Sequence, residues 1–171
     1  MTSPKGCVLF DWGNTLMKVF PEYSGPMLDW PHVEAVPHAE RVLTELRAHW
    51  LTALATNAAD SDEEGIRGAL ARVNLDRLID RVYCSRAIGH RKPSSEFFDA
   101  VLSDLGIERR AVFMVGDDFE ADVLGASRSG IRAVWLNPAS QETRSTKMHR
   151  TIHDLRGLPR ALEELGSGDD A

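Results

Sequence analysis

The residues of this chain best equipped for chemistry are polar groups that directly follow short apolar runs. Asp11 ends the run Cys7-Val8-Leu9-Phe10, and Asp117, Asp118 and Asp122 follow Ala111 to Val115 and Gly116. Thr56 and Asn57 follow Leu51 to Ala55, and Lys92 lies in the loop after Arg81 to Cys84. Apolar runs of this length bounded by turn residues read as buried strands of a parallel sheet, where ligands gather at the carboxyl ends. These polar groups then share one edge. Several carboxylates at one place repel each other unless a cation sits among them, and all-oxygen donors suit Mg²⁺, which commonly shares its coordination with a phosphate. Thr56 can hydrogen-bond a phosphoryl oxygen and Lys92 can neutralise one. What remains for Asp11 is attack, as a carboxylate nucleophile forming an aspartyl-phosphate. Singly, each group has a plainer role: Asp11 as a turn cap, Thr56 as a helix-start cap, Lys92 as a solvated loop charge. Their convergence argues for a site.

Helical patterns separate the strands. Val42, Leu43, Leu46 and Trp50 recur at helical spacing over residues 38–50. Ser61-x-x-Glu64 has the form of a capping box for a helix with Ile66, Leu70 and Val73 inward. Phe97, Phe98, Val101, Leu102 and Leu105 form one apolar face, with Gly106 placed to end that helix. A helix is expected between Asp122 and Gly130, a fifth strand over Ala133 to Leu136, a short edge strand over Thr151 to Leu155, and a last helix over Leu158 to Leu165. Strands alternating with helices imply parallel crossovers, hence an α/β three-layer sandwich with a central parallel sheet of about five strands. Residues 1–165 read as a single domain and residues 166–171 as a disordered tail.

Between Met17 and Val36 stand Pro21, Pro26 and Pro31, with Pro37 just beyond, together with Phe20, Tyr23 and Trp30. The prolines exclude a long helix, so residues 17–36 are expected to form a flap. Its aromatic residues would either roof a pocket over Asp11 or pack the flap onto the body.

Composition sets the outer limits. The 171 residues carry 20 Lys plus Arg against 26 Asp plus Glu, a formal charge of -6, with no basic run, which excludes an evident nucleic-acid-binding surface. The first residues lack a cleavage-site pattern, and no stretch approaches the roughly 18 apolar residues of a membrane span, so a soluble cytoplasmic protein is expected. Cys7 and Cys84 show neither Cys-x-x-Cys nor metal-ligand spacing and read as buried, reduced thiols.

With these residues in place the chain resembles the haloacid dehalogenase-like superfamily of hydrolases. The resemblance spans residues 6–165 and rests on motifs in order: Val8-Leu9-Phe10-Asp11-Trp12-Gly13-Asn14-Thr15, then Thr56, then Lys92-Pro93, then Gly116-Asp117-Asp118 with Asp122. It implies that Asp11 is nucleophile and metal ligand, that the Gly13 carbonyl is a second ligand of Mg²⁺, and that Thr56 and Lys92 hold the phosphoryl group. Trp12 and Asn57 join them as substrate-binding candidates. Asp117, Asp118 and Asp122 are the remaining metal candidates, Asp122 also being placed to hold Lys92; the sequence leaves the division among the three open.

One position departs from that pattern. Phosphatases of the superfamily usually carry an acid-base aspartate two residues after the nucleophile, and here stands Gly13. A positioned acid-base group contributes about 10²- to 10⁴-fold, so turnover should favour substrates with good leaving groups. A phosphate- or phosphoprotein-binding module of weak activity is the alternative. Phosphonatase or dehalogenase chemistry is less favoured, since the interval from Thr15 to Leu51 is too short for a cap domain and the acidic fourth motif is dense. Of the six histidines only His90 lies near Lys92, as a candidate for the missing acid-base group. Without a large cap the site should be open, fitting a phosphorylated small molecule or macromolecule, or a homo-oligomer in which a second subunit supplies the cap.

Overall fold

Six strands, Cys7–Phe10 (β1), Leu51–Thr56 (β2), Arg81–Cys84 (β3), Val112–Gly116 (β4), Arg132–Leu136 (β5) and His149–Ile152 (β6), pair into one parallel sheet in the order β3-β2-β1-β4-β5-β6. This computed structural model describes residues 4–167. The sheet has six strands rather than the expected five. The edge strand foreseen at Thr151 to Leu155 forms two residues earlier, where His149-Arg150-Thr151-Ile152 lacks the apolar run that marks the inner strands.

Alternation along the strands divides the core into two layers. Val8, Phe10, Leu54, Phe113, Val115, Val134 and Leu136 face Ala39–Leu46 (α1), Glu63–Ala71 (α2) and Leu158–Gly166 (α6). Leu9, Ala53, Ala55, Met114, Ala133 and Trp135 face Ser95–Leu105 (α4) and Gly125–Arg128 (α5). A one-turn helix, Ser85–Ile88 (α3), follows β3, and a π-helical turn, Phe119–Leu124, runs into α5. The result is the expected three-layer α/β sandwich. Cys7 and Cys84 are both free and buried, and burial pushes the Cys7 thiol up to about 12.

Several helix ends differ from the sequence reading. α1 stops at Leu46, not Trp50; the amides of His49 and Trp50 both donate to the Leu46 carbonyl, a turn that sends the chain straight into β2. α2 is capped by Asp62, whose Oδ1 accepts from the Gly65 amide at 2.9 Å, while Ser61 is buried beside Asp60. The acceptor-bearing residue nearest the first turn captured the cap, one position later than the capping-box pattern suggested. α4 behaves as expected, capped by Ser94 and ended by Gly106 at φ 63°. Gly166 closes α6, and of the expected disordered tail residues 168–171 lie outside the described residues.

The flap is a folded loop rather than a free strap. The Lys18 amide donates to the Glu34 carbonyl, the Val36 amide donates to the Leu16 carbonyl, and Met17 bridges both Gly13 and Ala35. Phe20, Tyr23, Trp30 and His32 stack on one another at 5.4–5.7 Å between ring centres, so the aromatics pack the flap onto the body. Arg72, at the end of α2, donates Nη1 to the carbonyls of Leu28 (3.0 Å) and Trp30 (2.6 Å). Charged donors of this kind contribute about 1.5–3 kcal/mol each when partly buried. Arg72→Ala is therefore expected to lower thermal stability by a few degrees and to open residues 17–36 to limited proteolysis; an unchanged cleavage pattern would show that the flap is held without it.

Candidate active site

The strand order reverses at β1: β2 lies on one side and β4 on the other, which opens a crevice at their carboxyl ends. Register fixes what stands there. Phe10 aligns with Leu54 and Val115, and the Asp11 amide donates to the Val115 carbonyl at 2.8 Å, so Asp11 leaves β1 level with the end of β4. After Asp11 the chain turns sharply. The Trp12 carbonyl accepts from the amides of Thr15, Leu16 and Met17, and Asn14 takes a left-handed conformation at φ 56°, which Asn tolerates better than most residues.

At the centre of the crevice is the Lys92 ammonium, 2% exposed. It donates to Asp11 Oδ1 (2.9 Å), Asp122 Oδ1 (2.7 Å) and the Ala55 carbonyl (2.6 Å), which uses all three of its hydrogens. Burial alone would lower its pKa; the carboxylates of Asp11 and Asp122 outweigh that and hold it above its ordinary value. The Lys92 backbone is clasped in turn, since Asn57 Oδ1 accepts from its amide at 2.9 Å and Asn57 Nδ2 donates to its carbonyl at 2.8 Å. The Lys92–Pro93 peptide is cis.

The fourth strand end divides its aspartates. Asp122 is buried, with Oδ2 accepting from the Asp118 amide at 3.1 Å, and its side chain fills the space where a Cβ on Gly116 would stand, 2.0 Å from Oδ2. Only glycine fits at 116. Burial raises the Asp122 carboxyl, Lys92 pulls it down and Asp11 adds to the upward push, leaving it raised. Asp117 is pushed up to about 6, by burial first and then by the Asp11 carboxylate. Its Oδ1 accepts from the buried Thr15 hydroxyl at 3.2 Å and its carbonyl from the Trp135 indole at 2.9 Å. Asp118 is exposed and caps the helical turn through the Ala121 amide at 2.9 Å.

One carboxylate oxygen from each of Asp11, Asp117 and Asp122 lies within 4.8 Å of the other two. Three carboxylates and one ammonium leave an excess of negative charge, which adds to burial in raising the Asp117 and Asp122 carboxyls. A divalent cation with oxygen preference fits this donor set. The bridge between Gly13 and Met17 uses the Trp12 carbonyl and the Asn14 amide, so it does not engage the Gly13 carbonyl.

The structure thus brings together Asp11, Lys92, Asp117 and Asp122, with Gly13 in the turn just after Asp11 and Thr56 ending β2, its Oγ1 accepting from the Ala58 amide, which leaves the hydroxyl proton to donate. It does not bring in the others. Trp12 is turned into the core, its indole donating to Met17 Sδ at 3.2 Å, because an indole of that size is better buried than set beside carboxylates. Asn57 is committed to the Lys92 backbone rather than to substrate. Asp118 serves the helix start rather than a metal. His90 is exposed, in a shallow depression with Ser85, Arg86, Arg91 and Ser94. Thr15, Trp135 and Gly116 were not singled out from sequence. Thr15 ends the first motif and Gly116 opens the fourth, so motif membership was the available signal; Trp135 carried none.

Comparison with known proteins places this geometry. Residues 9–136 match the family model described as haloacid dehalogenase-like hydrolase. Over 136 residues the chain is 31% identical to a ribulose-1,5-bisphosphate 5-phosphatase of Halopiger xanaduensis, covering 79% of this chain and 55% of that protein. It is 36% identical over 103 residues to a phosphoserine phosphatase of Thermus thermophilus, covering 59% and 40%. The chain therefore spans about half the length of the curated relatives it matches. An uncharacterized protein from Listeria monocytogenes serotype 4b has a structure that superposes with a TM-score of 0.81 at 30% identity, covering 95% of this chain and 99% of that one.

Removing one member of a buried charged cluster leaves the rest uncompensated, at about 3–5 kcal/mol. Lys92→Met is expected to destabilise the fold by that order in urea unfolding, and Lys92→Met with Asp122→Leu to recover a substantial part. A double variant no more stable than Lys92→Met would show that the ammonium is not there to balance Asp122.

Proposed function

Because the chain belongs to the haloacid dehalogenase-like hydrolase family, we propose that it is a Mg²⁺-dependent phosphohydrolase that works through an aspartyl-phosphate on Asp11. The observation that carries this reading is the position of Asp11, held by Lys92 through Oδ1 and facing Asp117 across the β1–β4 crevice. With Oδ1 fixed, Oδ2 is the attacking atom. It forms a bond to phosphorus as the bond from phosphorus to the leaving-group oxygen breaks, and that oxygen departs with the electron pair. Water then attacks the same phosphorus, releasing phosphate and restoring the Asp11 carboxylate.

Asp11, Asp117 and the Gly13 carbonyl would hold Mg²⁺, which when bound offsets the charge of the carboxylates and of the phosphoryl group. Asp122 acts through Lys92, and Asn57 fixes that lysine's backbone. The Thr56 hydroxyl is the donor to a phosphoryl oxygen. Residues 1–165 carry the activity as one domain, with residues 17–36 as its cover. Phosphatases among the relatives support a phosphorylated small molecule as the substrate class. Free, buried cysteines suit a reducing, cytoplasmic setting, and no helix among the described residues is long and apolar enough to cross a membrane.

The reaction is expected to favour good leaving groups. A Cβ at Gly13 would stand 2.8 Å from Val19 Cγ2, so the flap occupies the direction in which an acid-base side chain would project. That same observation favours the second reading, a phosphate-binding module with little turnover. Acetyl phosphate, whose leaving group departs without protonation by the enzyme, decides between them. Hydrolysis that requires Mg²⁺ and is lost in Asp11→Asn supports the catalyst; binding of inorganic phosphate with Mg²⁺ but no turnover supports the module. MgCl₂ should raise the melting temperature of the wild type by a few degrees and leave Asp117→Asn unmoved. Gly13→Asp combined with Val19→Ala should accelerate alkyl phosphate hydrolysis by about 10²-fold or more, and no gain would mean that the leaving group is protonated from elsewhere.

A further inference from the structure

Beside Asp117 the carboxyl edge of the sheet continues into a concave space of about 370 Å³, between the turn after β1, the end of the flap and the segments that follow β5 and β6. Volumes of this order hold small organic ligands. Asp117 and Asn14 are among its lining residues, so it adjoins the crevice where the phosphoryl group would react. Val36, Leu136 and Leu155 give it an apolar wall.

Its polar groups are more telling. His153 Nδ1 lies 2.6 Å from the Asn137 carbonyl, which can only accept, so Nδ1 carries a proton and Nε2 is the ring nitrogen left for a ligand. Asn14 Oδ1 accepts from the Val19 amide at 3.0 Å, leaving its Nδ2 hydrogens to donate. An imidazole nitrogen and an amide donor together suit a hydroxyl group, which can both donate and accept. Beyond Asp117, the charged groups of this wall have partners: Lys18 is paired with Glu34, and Asp154 accepts from Arg156 Nε at 2.9 Å. A second phosphate group would find no unmatched cation among the described residues of this wall.

Resting on the phosphohydrolase reading, we infer that this pocket receives the leaving group of a compact, hydroxylated phosphomonoester, with His153 and Asn14 as its polar contacts. The substrate is then a small molecule with one phosphate, rather than a bisphosphate or a phosphoprotein. The pocket does for this chain what a separate cap would otherwise do, by enclosing the carbon skeleton next to the reacting phosphorus.

Ala139 is exposed at the pocket's rim, where a tryptophan would plug it without disturbing the core. The test uses sugar monophosphates, glycerol phosphates, a sugar bisphosphate and a phosphoserine peptide, with acetyl phosphate as the control that barely reaches the pocket. Ala139→Trp and, independently, His153→Ala should each lower kcat/KM for the best hydroxylated monophosphate by about tenfold or more, with acetyl phosphate hydrolysis unchanged. Equal losses on both substrates, no loss on either, or a preference for the bisphosphate or the peptide would overturn the inference. Binding provides a readout free of turnover: in the Asp11→Asn background with Mg²⁺, a sugar or glycerol monophosphate should stabilise the protein thermally, and the added Ala139→Trp should abolish that shift. If Asp11→Asn binds none of them, the pocket assignment fails. If it binds them and the wild type does not turn over acetyl phosphate, the phosphohydrolase reading fails instead.

Discussion

The buried ammonium of Lys92 is the contact on which the rest of the site depends. It is the point at which four separate strand ends meet: Asp11 after β1, Ala55 within β2, the loop after β3 that carries the lysine itself, and Asp122 beyond β4. A buried cation without partners would cost several kcal/mol, and so would the two carboxylates without the cation. Each group is therefore tolerated only in the arrangement that contains the others. This mutual requirement explains the surrounding economy of space, in which Gly116 yields its side-chain volume to Asp122 and Gly125 admits Pro93, whose Cα would lie 2.8 Å from an added Cβ.

That arrangement neutralises only part of the negative charge. Asp117 is kept in place by Thr15 and Trp135 from neighbouring strands, yet its carboxyl is pushed up by burial and by Asp11. The fold thus holds a carboxylate where it is electrostatically unfavourable, and the Thr15 hydrogen bond offsets only part of that penalty. Such strain is common at functional sites, and a cation placed among the carboxylates would relieve it.

The short interval between β1 and β2 shapes the rest. It contains the flap and α1, and Arg72 ties the flap to α2, so the flap is a fixed shoulder of the fold. One of its residues, Val19, points at the missing side chain of Gly13. The absence of a side chain at position 13 and the course of the flap are therefore one structural fact.

The inner strands, the three-layer architecture and the shared edge of Asp11, Thr56, Lys92 and Asp117 were legible in sequence, because apolar runs and their terminal residues report local burial directly. The strand β6 was less so, since His149 and Arg150 interrupt the apolar signal at a sheet edge, and the caps and ends of α1 and α2 moved by one to four residues because tertiary turns compete with local propensity. Residue type and spacing by themselves determined which groups could meet. Only the tertiary structure decided what each one does there: Asp122 bonded to Lys92, Asp118 to a helix start, Asn57 to a backbone, and Trp12 to the core. A sequence fixes which strand end a side chain follows, whereas its direction and partners depend on the packing of segments far apart in the chain.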